Sequence, residues 1–216
     1  MYTRIEASGV ENVPLSGPLV IASNHLNDAD PGIICTRIPR PIAFMAKIEL
    51  FQIPLLKQFL IGFGAFSVKR GEADLGALRR ANEELGLGRA VCIFPEGTRE
   101  GVKEQLTEAW PGAALIALRN DVPVLPIAIT GSGSMSIPKM FLRLDRRLKV
   151  TLTIGEPFHL EKPARLNAEA AKDGTRQIME RIAALLPERA RGYYGYGSSG
   201  DLASSSDTDA PEQGGT

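Results

Sequence analysis

The 216-residue chain has little of what would make it a disulfide-stapled or metal protein. Its only cysteines, Cys35 and Cys92, sit in apolar runs and read as buried free thiols rather than a disulfide framework. Its only histidines, His25 and His159, offer no ligand spacing with them, so no metal site is expected. No run of 18 apolar residues occurs, which excludes a helix that crosses a membrane. The start, Met1-Tyr-Thr-Arg-Ile-Glu6, lacks the apolar core of a secretory leader. These absences together predict a reducing, cytosolic compartment. Net charge is also missing, with 25 basic against 25 acidic residues. Its distribution is uneven: residues 192–216 carry Asp201, Asp207, Asp209 and Glu212 and no Lys or Arg. The first 191 residues therefore hold a small basic surplus. It suits an anionic small substrate or an anionic bilayer and is too slight for nucleic acid.

What is present is an ordinary apolar content with strand and helix signals in alternation. Short apolar runs at 18–23, 42–45, 65–68, 90–94 and 122–129 read as strands, most of them buried, and 148–154 alternates like a half-buried one. Helices are expected from Pro31 to about Thr36, over 73–87 with Leu75, Leu78 and Leu85 inward, from Pro111 to Arg119, and over 175–188. Residues 1–17 read as an extended lead-in. Residues 48–63, the most apolar stretch, read as a buried helix pair, with an interfacial helix as the alternative. The basic and apolar run 138–149 reads as a solvated connection that could also lie against an anionic bilayer. This pattern predicts one α/β domain over 1–191 with a parallel or mixed sheet flanked by helices. The Gly/Ser/Asp-rich residues 192–216 cannot bury a core and read as a disordered tail.

The chemistry centres on Ser23-Asn24-His25-Leu26-Asn27-Asp28-Ala29-Asp30-Pro31. A histidine just past a buried strand can take a proton at neutral pH, and a carboxylate can hold its tautomer. Asp30 is five residues on, about 140° off the same helical face, so the two can meet only across a loop. Asn27 and Asp28 favour one. The competing role for Asp30 is the N-cap of a helix opened by Pro31. Arg70 and Arg99 each follow an apolar strand, where sheet enzymes place ligand contacts, and forked guanidinium donors suit a phosphate. The plain alternative for each arginine is a surface ion pair.

Asn24-His25-x4-Asp30 resembles the first motif of the glycerolipid acyltransferases, the lysophosphatidate acyltransferase-like family. Gly64-Ala-Phe66-Ser-Val-Lys69-Arg70 is similar to the second motif and Phe94-Pro-Glu96-Gly97-Thr98-Arg99 to the third. Val122-Pro-Val-Leu-Pro126-Ile-Ala-Ile129 resembles the fourth, and Met45-Ala-Lys47-Ile-Glu-Leu50 the linking segment. The resemblance covers roughly residues 10–160 and implies a single-domain glycerol-3-phosphate/lysophosphatidate acyltransferase-like sandwich. It implies His25 as general base and Asp30 as its orienting carboxylate. It implies substrate contacts at Lys47, Gly64, Arg70, Phe94, Glu96, Gly97, Thr98 and Arg99, with Lys69 weaker. Acyl-CoA or an acyl carrier protein would serve as co-substrate, with no cofactor. The acceptor would be a lysophospholipid, foremost 1-acyl-sn-glycerol 3-phosphate, met at the cytoplasmic face of a membrane to which the protein binds peripherally.

Two other readings stay open at this point. One keeps the reaction and changes the acceptor, to an acyl-amino-acid lipid or another lysolipid. The other is a catalytically silent lipid-binding module. Departures from the family pattern bear on both. Many members carry N-terminal membrane helices, which this sequence lacks before His25. Trp110-Pro111 stands where a basic residue is common, and the acidic Asp28 inside the first motif is placed to compete with Asp30 for the imidazole.

Overall fold

The structure, a computed structural model, describes residues 4–62, 64–68, 74–97, 104–134 and 149–195. Among the described residues seven strands form one sheet: β1 (Arg4–Ser8), β2 (Leu19–Ser23), β3 (Ile42–Lys47), β4 (Ala65–Val68), β5 (Ala90–Ile93), β6 (Val124–Thr130) and β7 (Lys149–Ile154). Their order is β1-β7-β6-β2-β5-β3-β4. Every pairing is parallel except β6 with β7. The α-helices among the described residues are α1 (Asp30–Cys35), α2 (Pro54–Gly62), α3 (Leu75–Gly86), α4 (Gly112–Asn120) and α5 (Ala168–Leu185). The mixed sheet flanked by helices is the architecture the sequence predicts.

Parallel strands need crossovers, and the crossover helices cover both faces of the sheet. All five residues of β2 are buried. Leu19 and Ile21 point into one core with Ile33 and Ile34 of α1, whereas Val20 and Ala22 point into the other with residues of α3, α4 and α5. That double burial explains why β2 reads as a continuous apolar run rather than an alternating one.

Several local expectations are corrected. The lead-in contains β1, which pairs with β7 and shows only Ile5 and Ala7 as its apolar alternation. Helix α3 is rolled relative to the expected face: Ala77, Ala81, Glu84 and Leu85 are buried, and Leu75 is exposed. Helix α5 begins seven residues earlier than its apolar periodicity, because Asn167 caps it by accepting from the Ala170 N–H at 2.8 Å. Cys92 is buried as expected, but Cys35 is half-buried, and burial pushes its thiol up to about 11. The buried helix pair over 48–63 is instead a 3-10 turn at Ile48–Gln52 followed by α2, with Ile53, Leu55 and Ile61 at 52%, 83% and 56% exposure. Residues 192–195, which composition places in the tail, pack against residues 104–110. Residues 196–216 and the basic run up to residue 148 lie outside the described residues.

Candidate active site

The parallel strands bring Ser23, Ile93 and Lys47 to one edge of the sheet, their carboxyl-terminal edge. His25 lies two residues past β2 there. Its ring Nδ1 is 3.0 Å from Asp30 Oδ2. The segment between them is a loop, turned by the Asn27 side chain, whose Oδ1 accepts from the Ala29 N–H at 3.0 Å.

Asp30 is the first residue of α1 and fully buried. The N-cap role is overturned: the cap position is Ala29, and the Asp30 carboxylate faces back into the loop. Its Oδ2 accepts from the Leu26 and Asn27 N–H groups at 2.7 Å each, besides the imidazole. Its Oδ1 is buried without a hydrogen bond. A carboxylate that only accepts keeps the proton on Nδ1 and leaves Nε2 with its lone pair. Asp28 is exposed, and the imidazole is on Asp30.

Three further contacts fix the loop. Phe94, just past β5, stacks on the imidazole with centroids 4.1 Å apart and planes 22° apart. The Asn24 side chain extends the β2–β6 ladder, donating to the Ile129 carbonyl at 2.9 Å and accepting its N–H at 2.7 Å. Glu96, buried, accepts from the His25 N–H through Oε1 at 3.2 Å. Its Oε2 accepts from the Thr107 N–H at 2.9 Å and the Thr107 hydroxyl at 3.1 Å. Burial pushes the Glu96 carboxyl above its ordinary value, and the bonds from Thr107 and His25 pull against that shift.

The candidate residues therefore divide. His25, Asp30, Phe94 and Glu96 are in direct contact or one bond apart. Gly97 follows in a turn with φ +68°, where an added Cβ would press on the Trp110 ring. Lys47 ends β3 on the same edge and pairs with Glu49 at 3.6 Å. It is two strands from β2, roughly 10 Å across the sheet. Gly64 immediately precedes β4 at the opposite edge, with φ +79° and its carbonyl accepting from the Phe44 N–H, which is a turn-forming role. Arg70, Thr98 and Arg99, with Lys69, lie outside the described residues. Sequence reasoning gave no role to Asn24 and passed over Thr107. The Asn24-His25 pair was the available signal for the first, and nothing local marks the second. Among the described residues no group of three or more His, Cys, Asp or Glu could hold a metal ion, and no helix is long and apolar enough to cross a membrane.

The model of the acyltransferase family matches residues 4–130, which contain all of these contacts. A probable 1-acyl-sn-glycerol-3-phosphate acyltransferase of Mycoplasma pneumoniae is 32% identical over 160 residues, covering 69% of this chain and 59% of that protein. The 1-acyl-sn-glycerol-3-phosphate acyltransferase of Bacillus subtilis is 34% identical over 150 residues, covering 69% of this chain and 71% of that one. The chain thus spans about three-fifths of the first relative's length and, at 48%, about half of a chloroplast one from Arabidopsis thaliana. Among solved structures, the 1-acyl-sn-glycerophosphate acyltransferase PlsC of Thermotoga maritima superposes with a TM-score of 0.61 at 27% identity, over 83% of this chain and 70% of that one. With more than half its length matched by the family model and the His25–Asp30 pair inside the match, the chain belongs to the acyltransferase family.

Proposed function

We propose that the protein transfers a fatty acyl group from a thioester, acyl-CoA or acyl carrier protein, to the free hydroxyl of 1-acyl-sn-glycerol 3-phosphate, with His25 as general base. The observation that carries this reading is the buried His25 Nδ1–Asp30 Oδ2 contact at a sheet edge. The names of the relatives support the acceptor. In the step, the acceptor hydroxyl oxygen bonds to the thioester carbonyl carbon and its proton goes to His25 Nε2. The carbon–sulfur bond then breaks, and the thiolate leaves with that proton. The donor is already activated, so no covalent enzyme intermediate is required. Arg70 and Arg99 are proposed to clamp the acceptor phosphate, and Lys47 to approach it from β3.

The test is free-thiol release by the purified full chain from oleoyl-CoA, with and without 1-acyl-sn-glycerol 3-phosphate. Acceptor-dependent release supports the reading. Release that appears only with a different lysolipid or an acyl-amino-acid lipid overturns the acceptor. Lipid binding with no release under any acceptor makes the chain a silent binding module.

Peripheral membrane contact belongs to the same proposal. Ile53, Leu55 and Ile61 present exposed apolar side chains on and beside α2. Residues 50–71 include Lys57, Lys69 and Arg70 and no Asp or Glu, which matches an anionic bilayer. Leu55→Glu with Ile61→Glu is expected to lower co-sedimentation with phosphatidylglycerol vesicles by about tenfold or more. Undiminished co-sedimentation would place the lipid contact elsewhere.

A further inference from the structure

We propose that Thr107 is a positioning residue for His25, and that residues 188–194 set its place through a chain of hydrogen bonds that ends on the His25 backbone. The proposal rests on the reading of His25 as the reacting base. Residues 104–110 form no regular element, so their position depends on what they bond to. The segment 188–194, two 3-10 turns after α5, grips them. The Leu106 N–H donates to the Ala190 carbonyl at 3.1 Å, and the Tyr193 N–H donates to the Leu106 carbonyl at 2.9 Å. Gln105 Nε2 donates to the Arg189 carbonyl at 3.1 Å, and the Ala109 N–H donates to Tyr194 Oη at 3.1 Å. Gly192, with φ +45°, lies so close that any Cβ would collide with the Leu106 carbonyl oxygen. Leu106 itself is buried.

The next residue, Thr107, hands that placement on. Its N–H and hydroxyl both occupy Glu96 Oε2, which leaves Oε1 for the His25 N–H. Glu96 cannot be replaced by its amide in this arrangement. A glutamine offers an oxygen at only one end, and its NH2 would face a backbone N–H at the other. A buried carboxylate spanning two loops transmits a shift of one to the other, because leaving either donor unpaired is unfavourable. What reaches the imidazole is the height of the His25 backbone above the end of β2, and with it the reach of Nε2 to the acceptor hydroxyl.

The test uses the full chain with Gly192→Ala, which forces the segment off Leu106, and Thr107→Val, which removes one donor without changing shape. Amide hydrogen exchange of His25 is followed by NMR together with kcat and KM. Gly192→Ala is expected to speed His25 exchange and lower kcat by about tenfold each, with KM within about twofold. Thr107→Val is expected to do the same by about threefold, and Thr107→Ser to restore both. Faster exchange confined to Leu106 and Tyr193, with His25 protected as before, would overturn the proposal. If Gly192→Ala does not fold, the Thr107 pair decides: equal His25 exchange in Thr107→Val and wild type overturns it. Altered His25 exchange in a protein that turns over no acceptor keeps the positioning and discards the catalytic reading on which it rests.

Discussion

Replacement of His25 by alanine is expected to lower kcat for acceptor-dependent thiol release by about 10²–10⁴-fold, the range over which a positioned general base acts. The fold should survive. The loop around His25 is held by backbone groups that the substitution leaves in place: the His25 N–H on Glu96, and the Leu26 and Asn27 N–H groups on Asp30. What is lost is the ring's stacking on Phe94 and its bond to Asp30 Oδ2. The stacking is a matter of about 0.5–1.5 kcal/mol. A thermal melt run beside the assay separates the two effects. Near-normal turnover by a folded His25→Ala protein would falsify the base assignment. His159, which is exposed, serves as the control, and its replacement should leave turnover unchanged.

Asp30 should give the opposite balance, with stability and activity lost together. Asp30→Ala leaves the Leu26 and Asn27 N–H groups and the imidazole without their shared acceptor. Each unsatisfied buried donor costs about 1–3 kcal/mol, so the two amides alone cost about 2–6 kcal/mol. Asp30→Asn should be milder in stability. All three donors converge on a single oxygen, Oδ2, so an amide oxygen placed there serves them all. Its NH2 would then take the place of Oδ1, which is buried without a partner, so the amide is left unsatisfied there at a cost of about 1–3 kcal/mol. The tautomer of His25 would persist, but no negative charge would remain to stabilise the imidazolium formed as the hydroxyl attacks. The expected result is a melting temperature between those of the wild type and Asp30→Ala, with kcat reduced by about 10–10²-fold. A kcat loss in Asp30→Asn equal to that in Asp30→Ala would mean that the amide has turned over and the tautomer with it.

The contrast between these two residues shows what the sequence could and could not convey. The pairing of His25 with Asp30 was legible because it is local: five residues, a loop-forming Asn27 and a strand before it. Strands β2, β5 and β6 were legible because burial on both faces leaves an uninterrupted apolar run. Edge strand β1 was not, since its register against β7 depends on a partner more than a hundred residues away. The roll of α3 was missed because alanines fill its buried face and a leucine stands outside. Glu96 could be singled out, but as a substrate contact. Only the structure shows both its oxygens engaged by backbone N–H groups of distant loops. Thr107, an ordinary threonine in a polar stretch, carries no mark at all until the fold brings it to Glu96.

The strand order has a kinetic consequence. Strand β2 lies between β5 and β6, and the chain leaves it for β3 and β4 before returning to fill either side. The contacts that seat His25 therefore join residues far apart along the chain: 71 positions to Glu96, and 105 from Asn24 to Ile129. Such closures come late and slowly, because the entropy of long loops is lost before their contacts form. By contrast, the bonds within the His25–Asp30 loop are short-range. In refolding, recovery of turnover should accompany the last cooperative phase, and a chain stalled before β6 docks would hold the histidine and its carboxylate without a floor to stand on.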